Sequence, residues 1–218
     1  MNHLYEQLTA LKLTGFRDAL KKQLAQPGTY QELGFEERLS LLTAEELTCR
    51  ENRKAERLIK HARFRLNAEL SKLDYRNNRG LDRALIRSLS QGNWLTLKQN
   101  ILLTGATGSG KTFLACALGH NACRQGYKVY YYRLKALMEQ CYQGHADGRY
   151  SKLLTRLNNS DLLLLDDWGL EPLSSEQRSD LLEIVDLMYQ RGSIIVVSQL
   201  PVENWYKMIG DSTHADAI

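Results

Sequence analysis

No apolar run in this sequence approaches the ~18 residues needed to cross a bilayer. The opening residues Met1-Asn2-His3-Leu4-Tyr5-Glu6 lack the basic stretch and apolar core of a secretory leader, so a cytoplasmic setting is expected. Cysteine offers no framework either. Cys49, Cys116, Cys123 and Cys141 form no C-x-x-C pair, which points away from a disulfide scaffold or a zinc site. Cys116 and Cys123 share one face of a predicted helix and read as core residues. Internal repeats and low-complexity segments are missing, and the five histidines are scattered with no assignable role.

What is present is an ordinary globular composition, 218 residues with 43% hydrophobic, enough for one α/β domain and a smaller appendage. Charge is unevenly distributed. Between Arg50 and Arg87 there are twelve Lys and Arg against five Asp and Glu, a net of +7, which leaves −3 for the rest of a chain whose total is +4.

The first part of the chain reads as helices. Leu4, Leu8 and Leu11 recur at helical spacing, as do Phe16, Ala19, Leu20 and Leu24 until Pro27-Gly28 interrupts. A third helix is expected from Phe35 through Leu42, and a long one from about Glu45 past Leu70. On a wheel of that long helix, Ala55, Ile59, Ala62, Leu66, Leu70 and Leu73 gather on one side. Arg50, Arg53, Lys54, Arg57, Lys60, His61 and Arg65 gather on the other. The basic stripe is either a solvated face or a surface for a polyanion, and few acids interrupt it. Arg76 to Leu81 is turn-rich, a short helix follows from Asp82 to Leu89, and a loop is expected around Gly92-Asn93-Trp94. The domain division expected is a helical N-terminal domain over 1–75, a linker over 76–99 and a core of alternating strands and helices over 100–218.

From Asn100 the pattern alternates strand and helix, which implies a parallel sheet flanked by helices, an α/β fold. The first strand, Asn100 to Thr104, leads into Gly105-Ala106-Thr107-Gly108-Ser109-Gly110-Lys111-Thr112 and a helix that opens at Phe113. This is a phosphate-binding loop. Glycines let the backbone wrap closely around phosphate oxygens, the helix presents its positive end, Lys111 reaches the β- and γ-phosphates of ATP, and the Thr112 hydroxyl ligates Mg²⁺.

A second motif, Leu162-Leu163-Leu164-Leu165-Asp166-Asp167, reads as a strand covered on both faces that ends in two acids beside the loop. Asp166 then holds the Mg²⁺ and Asp167 activates the attacking water, unless the pair is simply a solvated strand end. The strand Ser193 to Ser198 ends at Ser198-Gln199, either an ordinary strand-to-loop transition or a pair that senses the γ-phosphate. Tyr130-Tyr131-Tyr132 are expected on an inner strand as core residues.

These stations, together with N-I-L-L-T-G-A-T-G-S-G-K-T, L-L-L-L-D-D-W-G, V-V-S-Q and the tail Gly210 to Ile218, resemble the IstB-like and DnaC-like branch of the AAA+ ATPases over essentially the whole chain. The resemblance implies an ATPase that cycles between ATP and ADP with Mg²⁺, oligomerises on duplex DNA and assists a transposase encoded by the same insertion sequence. A replicative helicase loader is the alternative. By position it makes Lys111 and Thr112 the Walker-A residues, Asp166 and Asp167 the Walker-B pair, and Ser198-Gln199 the sensor-1 station. The stretch Leu134 to Tyr150 falls where related initiators carry an extra helix near DNA, which makes Lys135 and Arg149 DNA-contact candidates beside the basic stripe. A P-loop small-molecule kinase is a less fitting reading, because it has little use for a basic helical domain in front.

The branch places an arginine finger and a lid after the segment resembling Asp211 to Ile218, where the sequence given ends. A trans-acting arginine is worth roughly 10³–10⁵ in phosphoryl-transfer rate. Residues 1–218 are therefore expected to bind ATP and turn it over slowly; a steady-state phosphate-release assay in which a version lengthened by the finger is no faster would refute this.

Overall fold

The computed structural model describes residues 2–75 and 81–209; Arg76 to Gly80 of the expected linker and the tail from Gly210 lie outside them. The chain divides into two compact units, residues 1–57 and 58–218.

In the first unit, α1 (Asn2–Ala10) and α2 (Thr14–Ala25) match the leucine periodicity, and Pro27 opens a one-turn helix, α3 (Pro27–Tyr30), at the position where its missing N–H costs nothing. Next comes α4 (Phe35–Ala62), which merges the two helices expected from Phe35 and Glu45. Buried Gln23 fastens α2 to α4 by donating to the Arg38 carbonyl at 3.1 Å. Buried Glu46 accepts from the Phe16 amide at 3.1 Å and from Arg50 Nε at 2.7 Å. The Arg50 bond holds the Glu46 carboxyl below the usual carboxylate range.

The long helix stops earlier than expected. Arg63 takes φ 56°, a left-handed conformation that terminates a helix in place of glycine, so the chain beyond Ala62 is no longer helical. Residues 63–75 then run as an irregular strap with one 3-10 turn at Leu70–Lys72. Leu58, Ile59, Ala62, Phe64, Ala68, Leu70 and Leu73 nevertheless pack into the core of the second unit.

That core is built on a parallel sheet in the order β1 (Ile101–Thr104), β4 (Ser193–Ser198), β3 (Leu162–Trp168), β2 (Val129–Arg133). Before it, Asp82 caps α5 (Arg83–Ser90) by accepting from the Ala84 amide at 2.7 Å. Where a loop was expected, Gly92 at φ 80° starts a one-turn helix, α6 (Asn93–Thr96), which buries Trp94 and Leu95.

Leu162 and Leu164 face the layer formed by α7 (Lys111–Arg124) and the strap. Leu163 and Leu165 face α8 (Leu134–Asp147), α9 (Tyr150–Asn158) and α10 (Ser175–Met188). All four leucines are 0% exposed, the double cover that an unbroken apolar run requires. The described chain closes with α11 (Trp205–Ile209). Because β2 is an edge strand in this order, the inner-strand placement expected for the tyrosine run is corrected: Tyr131 is buried towards α7, while Tyr130 and Tyr132 are half-buried on the α8 side.

Two close approaches hold these layers. A Cβ on Gly119 of α7 would lie 2.5 Å from the Phe64 ring, so glycine admits the strap. A Cβ on Gly144 of α8 would lie 2.9 Å from the Tyr150 Cα, backbone that cannot step aside. Alanine in a helix interior gains about 1 kcal/mol over glycine, but overpacking costs about 1–3 kcal/mol. Gly144→Ala is therefore expected to lower stability in urea unfolding, and a rise would contradict the close-contact account.

Candidate nucleotide site

The loop between β1 and α7 turns on glycines at Gly105 (φ 146°), Gly108 (φ 79°) and Gly110 (φ 93°), all in conformations that side chains disfavour. Among the described residues, the backbone N–H groups of Gly108, Gly110, Lys111 and Thr112 meet no acceptor. They are the orphan donors of a helix N-terminus, and they suit an anion. The Lys111 ammonium folds back over the same loop, donating to the carbonyls of Gly105 at 2.6 Å and Ala106 at 2.8 Å and, at 3.4 Å, to Ser109 Oγ. A cation resting on neutral carbonyls has every reason to exchange them for phosphate oxygens.

A cavity of about 380 Å³ opens here, with Thr107, Gly108, Lys111, Thr112 and Phe113 on one wall and Asp166, Asp167, Ser198 and Gln199 on the other. The structure thus brings the three sequence stations together around one space. Parallel pairing of β1 with β4 and of β4 with β3 aligns their carboxyl ends, the edge at which α/β sheets hold ligands.

Successive residues of a regular strand point to opposite faces, yet Asp166 and Asp167 both line this cavity. A register irregularity against β4 between Leu165 and Trp168, with Asp167 at φ 60°, re-aims the second acid. Such a conformation costs about 1–3 kcal/mol and persists only where its surroundings enforce it.

Asp166 is 1% exposed and fully engaged. Its Oδ1 accepts from Thr112 Oγ1 at 3.2 Å and from the Asp167 amide at 2.8 Å, and its Oδ2 accepts from the Tyr131 hydroxyl at 2.7 Å. Burial, then the bond to Asp166, pushes the Tyr131 phenol well above its ordinary pKa, so it remains a donor across the physiological range. Asp167 is held differently, by Arg133 Nε at 2.6 Å and Arg65 Nη1 at 3.7 Å.

Gln199 accepts from Thr107 Oγ1 at 2.7 Å and so ties the end of β4 to the loop. The Ser198 hydroxyl has structural work instead, donating to the Trp168 carbonyl at 3.0 Å and accepting from the Leu200 amide at 3.0 Å.

The other basic candidates scatter. Arg50 pairs with Glu46, and Arg53 donates to Thr14. Exposed Lys54 and Lys60 form no ion pair among the described residues, while Arg57 donates weakly to the Arg53 carbonyl at 3.4 Å. Arg65 stands off the helical stripe because α4 ends at Ala62, and it borders the cavity. Lys135 pairs with Glu171 at 2.9 Å and Arg149 with Asp147 at 2.7 Å.

Three contributors were not legible in sequence. Tyr131 was read as core, and it is buried; nothing local announces that its hydroxyl ends beside Asp166. Arg133 and Arg65 reach Asp167 only through sheet register and the strap. The pairing of Arg133 with Asp166 across β2 and β3 was the one available signal, once β2 and β3 are taken as neighbours. Tyr131→Phe keeps the ring and removes one donor from a buried carboxylate, a loss of about 1–3 kcal/mol. Urea unfolding without nucleotide should show that loss, and unchanged stability would mean that the hydroxyl does not support Asp166.

Residues 6–218 match the family model described as IstB-like ATP binding protein. An insertion sequence ATP-binding protein of Sinorhizobium fredii is 43% identical over 213 residues, covering 98% of this chain and 86% of that protein. The ATP-binding protein of insertion sequence IS1162 from Pseudomonas fluorescens is 46% identical over 200 residues, covering 91% and 86%. Among solved structures, the DnaC helicase loader superposes with a TM-score of 0.60 at 25% identity over 69% of this chain and 91% of that one. AMPPCP-bound DnaA from Aquifex aeolicus gives 0.61 at 21% identity over 71% and 48%, a likeness of fold. The sheet with its phosphate loop is therefore an AAA+ core, and the chain belongs to the IstB-like ATP binding protein family.

Proposed function

We propose that this protein is a Mg²⁺-dependent ATPase of an insertion sequence that binds duplex DNA, self-associates when loaded with ATP and assists the transposase of the same element. The strongest support is the convergence of the loop's orphan N–H groups, the Lys111 ammonium and the Thr112–Asp166 oxygen pair on one cavity in a chain of this family. Hard oxygen donors 3.2 Å apart, one a buried carboxylate, suit Mg²⁺. The bound ion supplies charge neutralisation at the phosphates.

The chain's own residues do the rest. Lys111 leaves the Gly105 and Ala106 carbonyls for the β- and γ-phosphates, while Gly105 to Phe113 wraps the phosphates and Thr112 with Asp166 holds the metal. Asp167, released from its arginines, takes a proton from the attacking water; the water oxygen bonds to the γ-phosphorus as the bond to the β-phosphate oxygen breaks. Gln199, fixed by Thr107, steadies that water, and Ser198 keeps the ends of β3 and β4 in register. Tyr131 holds the free side of Asp166.

For DNA, the exposed side of α4 offers Arg50, Arg53, Lys54, Arg57 and Lys60, with Lys135 and Arg149 as further contacts, although Arg50, Lys135 and Arg149 must first leave carboxylates. The helicase-loader reading draws on the likeness to DnaC. Relatives of higher identity that are named for insertion sequences favour transposition.

Lys111→Ala removes charge-assisted bonds worth about 1.5–3 kcal/mol each, so ATP affinity should fall roughly 10- to 100-fold, and ATP-dependent retention on a long duplex should fall with it. Asp167→Asn should keep ATP binding and lose roughly 10²–10⁴-fold in turnover. Equilibrium dialysis with labelled ATP, duplex anisotropy and phosphate release read these separately. Duplex affinity indifferent to ATP, or an active Asp167→Asn variant, would sink the proposal.

A further inference from the structure

At the open edge of β2 the second unit carries a groove of about 330 Å³ that the nucleotide site does not use. Its floor is the tyrosine run, one wall is the end of α4 at His61 to Arg63, and the other is α8 with Arg156 of α9. The guanidinium groups of Arg63, Arg133 and Arg156 are exposed, and no carboxylate is among the described lining residues. Arg156 is positioned: it donates to the Tyr132 hydroxyl at 2.6 Å and to Gln140 Oε1 at 3.1 Å, with its guanidinium carbon 5.7 Å from the Tyr130 ring centroid and 5.8 Å from that of Tyr132. Lys128 lies over the other part of Tyr130, 5.5 Å from the centroid.

We infer that this groove seats the sugar–phosphate backbone of the DNA on which the protein acts. The inference rests on the DNA-binding reading above and assigns to it a groove whose arginines, Arg63, Arg133 and Arg156, were not among the DNA-contact candidates of the sequence. Three observations choose this ligand. Arginines with planar forks match phosphate geometry, and Arg63 and Arg156 converge here without competing acids among the described lining residues, beside Arg133, whose Nε is paired with Asp167. The two half-buried tyrosine rings are already covered by Arg156 and Lys128, so they hold cations in place and leave no open face for stacking bases. Among the described lining residues the aliphatic ones are Ala62, which is buried, and Ala136, so what the groove presents to a ligand is cationic and polar, the character of a phosphate backbone's partner.

The test uses the full chain with ATP and a fluorescent ~30-base-pair duplex, with affinity followed from ~50 to ~200 mM salt. Arg156→Gln and Arg63→Gln are compared with the parent. The second variant guards against misfolding, because the Arg63 guanidinium makes no hydrogen bond among the described residues. Arg133 is left alone, since it holds Asp167. Each variant should bind duplex several-fold more weakly and flatten the slope of log affinity against log salt by about 0.9 for each phosphate no longer neutralised, with ATP affinity and melting temperature unchanged.

Parent-like affinity and slope in both variants, beside weaker binding in an Arg53→Gln/Arg57→Gln control on α4, would overturn the groove and spare the DNA reading. Parent-like DNA binding with failed capture of purified transposase would reassign the groove to a protein and overturn it as well. Failure of the parent to bind duplex would overturn the groove together with the DNA-binding reading beneath it.

Discussion

The carboxylate of Asp166 is the group on which the site depends. Buried at the end of β3, it is held by a hydroxyl from α7, a hydroxyl from β2 and the amide of its own neighbour. An ionised group so placed is tolerable only when its lone pairs are filled, since an unpaired buried charge costs several kcal/mol. The donors come from three elements, so satisfying Asp166 also fixes the phosphate loop and β2 against β3. Recruiting a metal to the Thr112 side would leave the Tyr131 bond in place. The side chain is already oriented before any ligand arrives, which removes part of the ordering cost of binding.

Asp167 obeys a different constraint. Its left-handed backbone and the broken register beside it turn it towards the cavity, but two exposed arginines meet one of its oxygens, Oδ2. Exposed ion pairs are weak, about 0–1 kcal/mol, and salt screens them. That strength orients the group at rest and lets it be released, as the base role proposed for it would require. Asp166 is locked by burial and Asp167 is only leashed, a difference that burial and partner exposure create between adjacent identical residues.

The fold was largely legible because its signals are local. Four leucines in a row demanded a doubly covered strand, the glycine loop fixed the junction of β1 with α7, and alternating patterns implied the parallel sheet. Failures came where a single residue or a long-range neighbour decides. Nothing in the periodicity announced that Arg63 would adopt a left-handed conformation, and that one residue ended a helix expected to pass Leu70. The edge position of β2 depends on strand order, which residue pattern does not carry, so the hydroxyl of Tyr131 and the guanidinium of Arg133 stayed unassigned. Apolar residues of the strap still packed, because burial does not need a helix. Arg65, a charged residue beside them, changed its surroundings altogether.

That change bears on how the excess of positive charge between Arg50 and Arg87 is understood. Read as one helical stripe it is a single patch, yet the stop at Arg63 separates it by surroundings. Arg50 is neutralised by a buried glutamate, Arg65 borders the nucleotide cavity, and Arg63 turns to the groove on β2. Long-range steering of a polyanion depends on the summed charge and is indifferent to this partition. Direct binding is not: a guanidinium binds a phosphate only where its fork can meet the oxygens, and each cation is limited to the partner its own backbone allows. A basic run in one dimension therefore serves attraction as a whole and chemistry piece by piece, with Arg65 and Arg63, neighbours on the same strap, lining two different cavities.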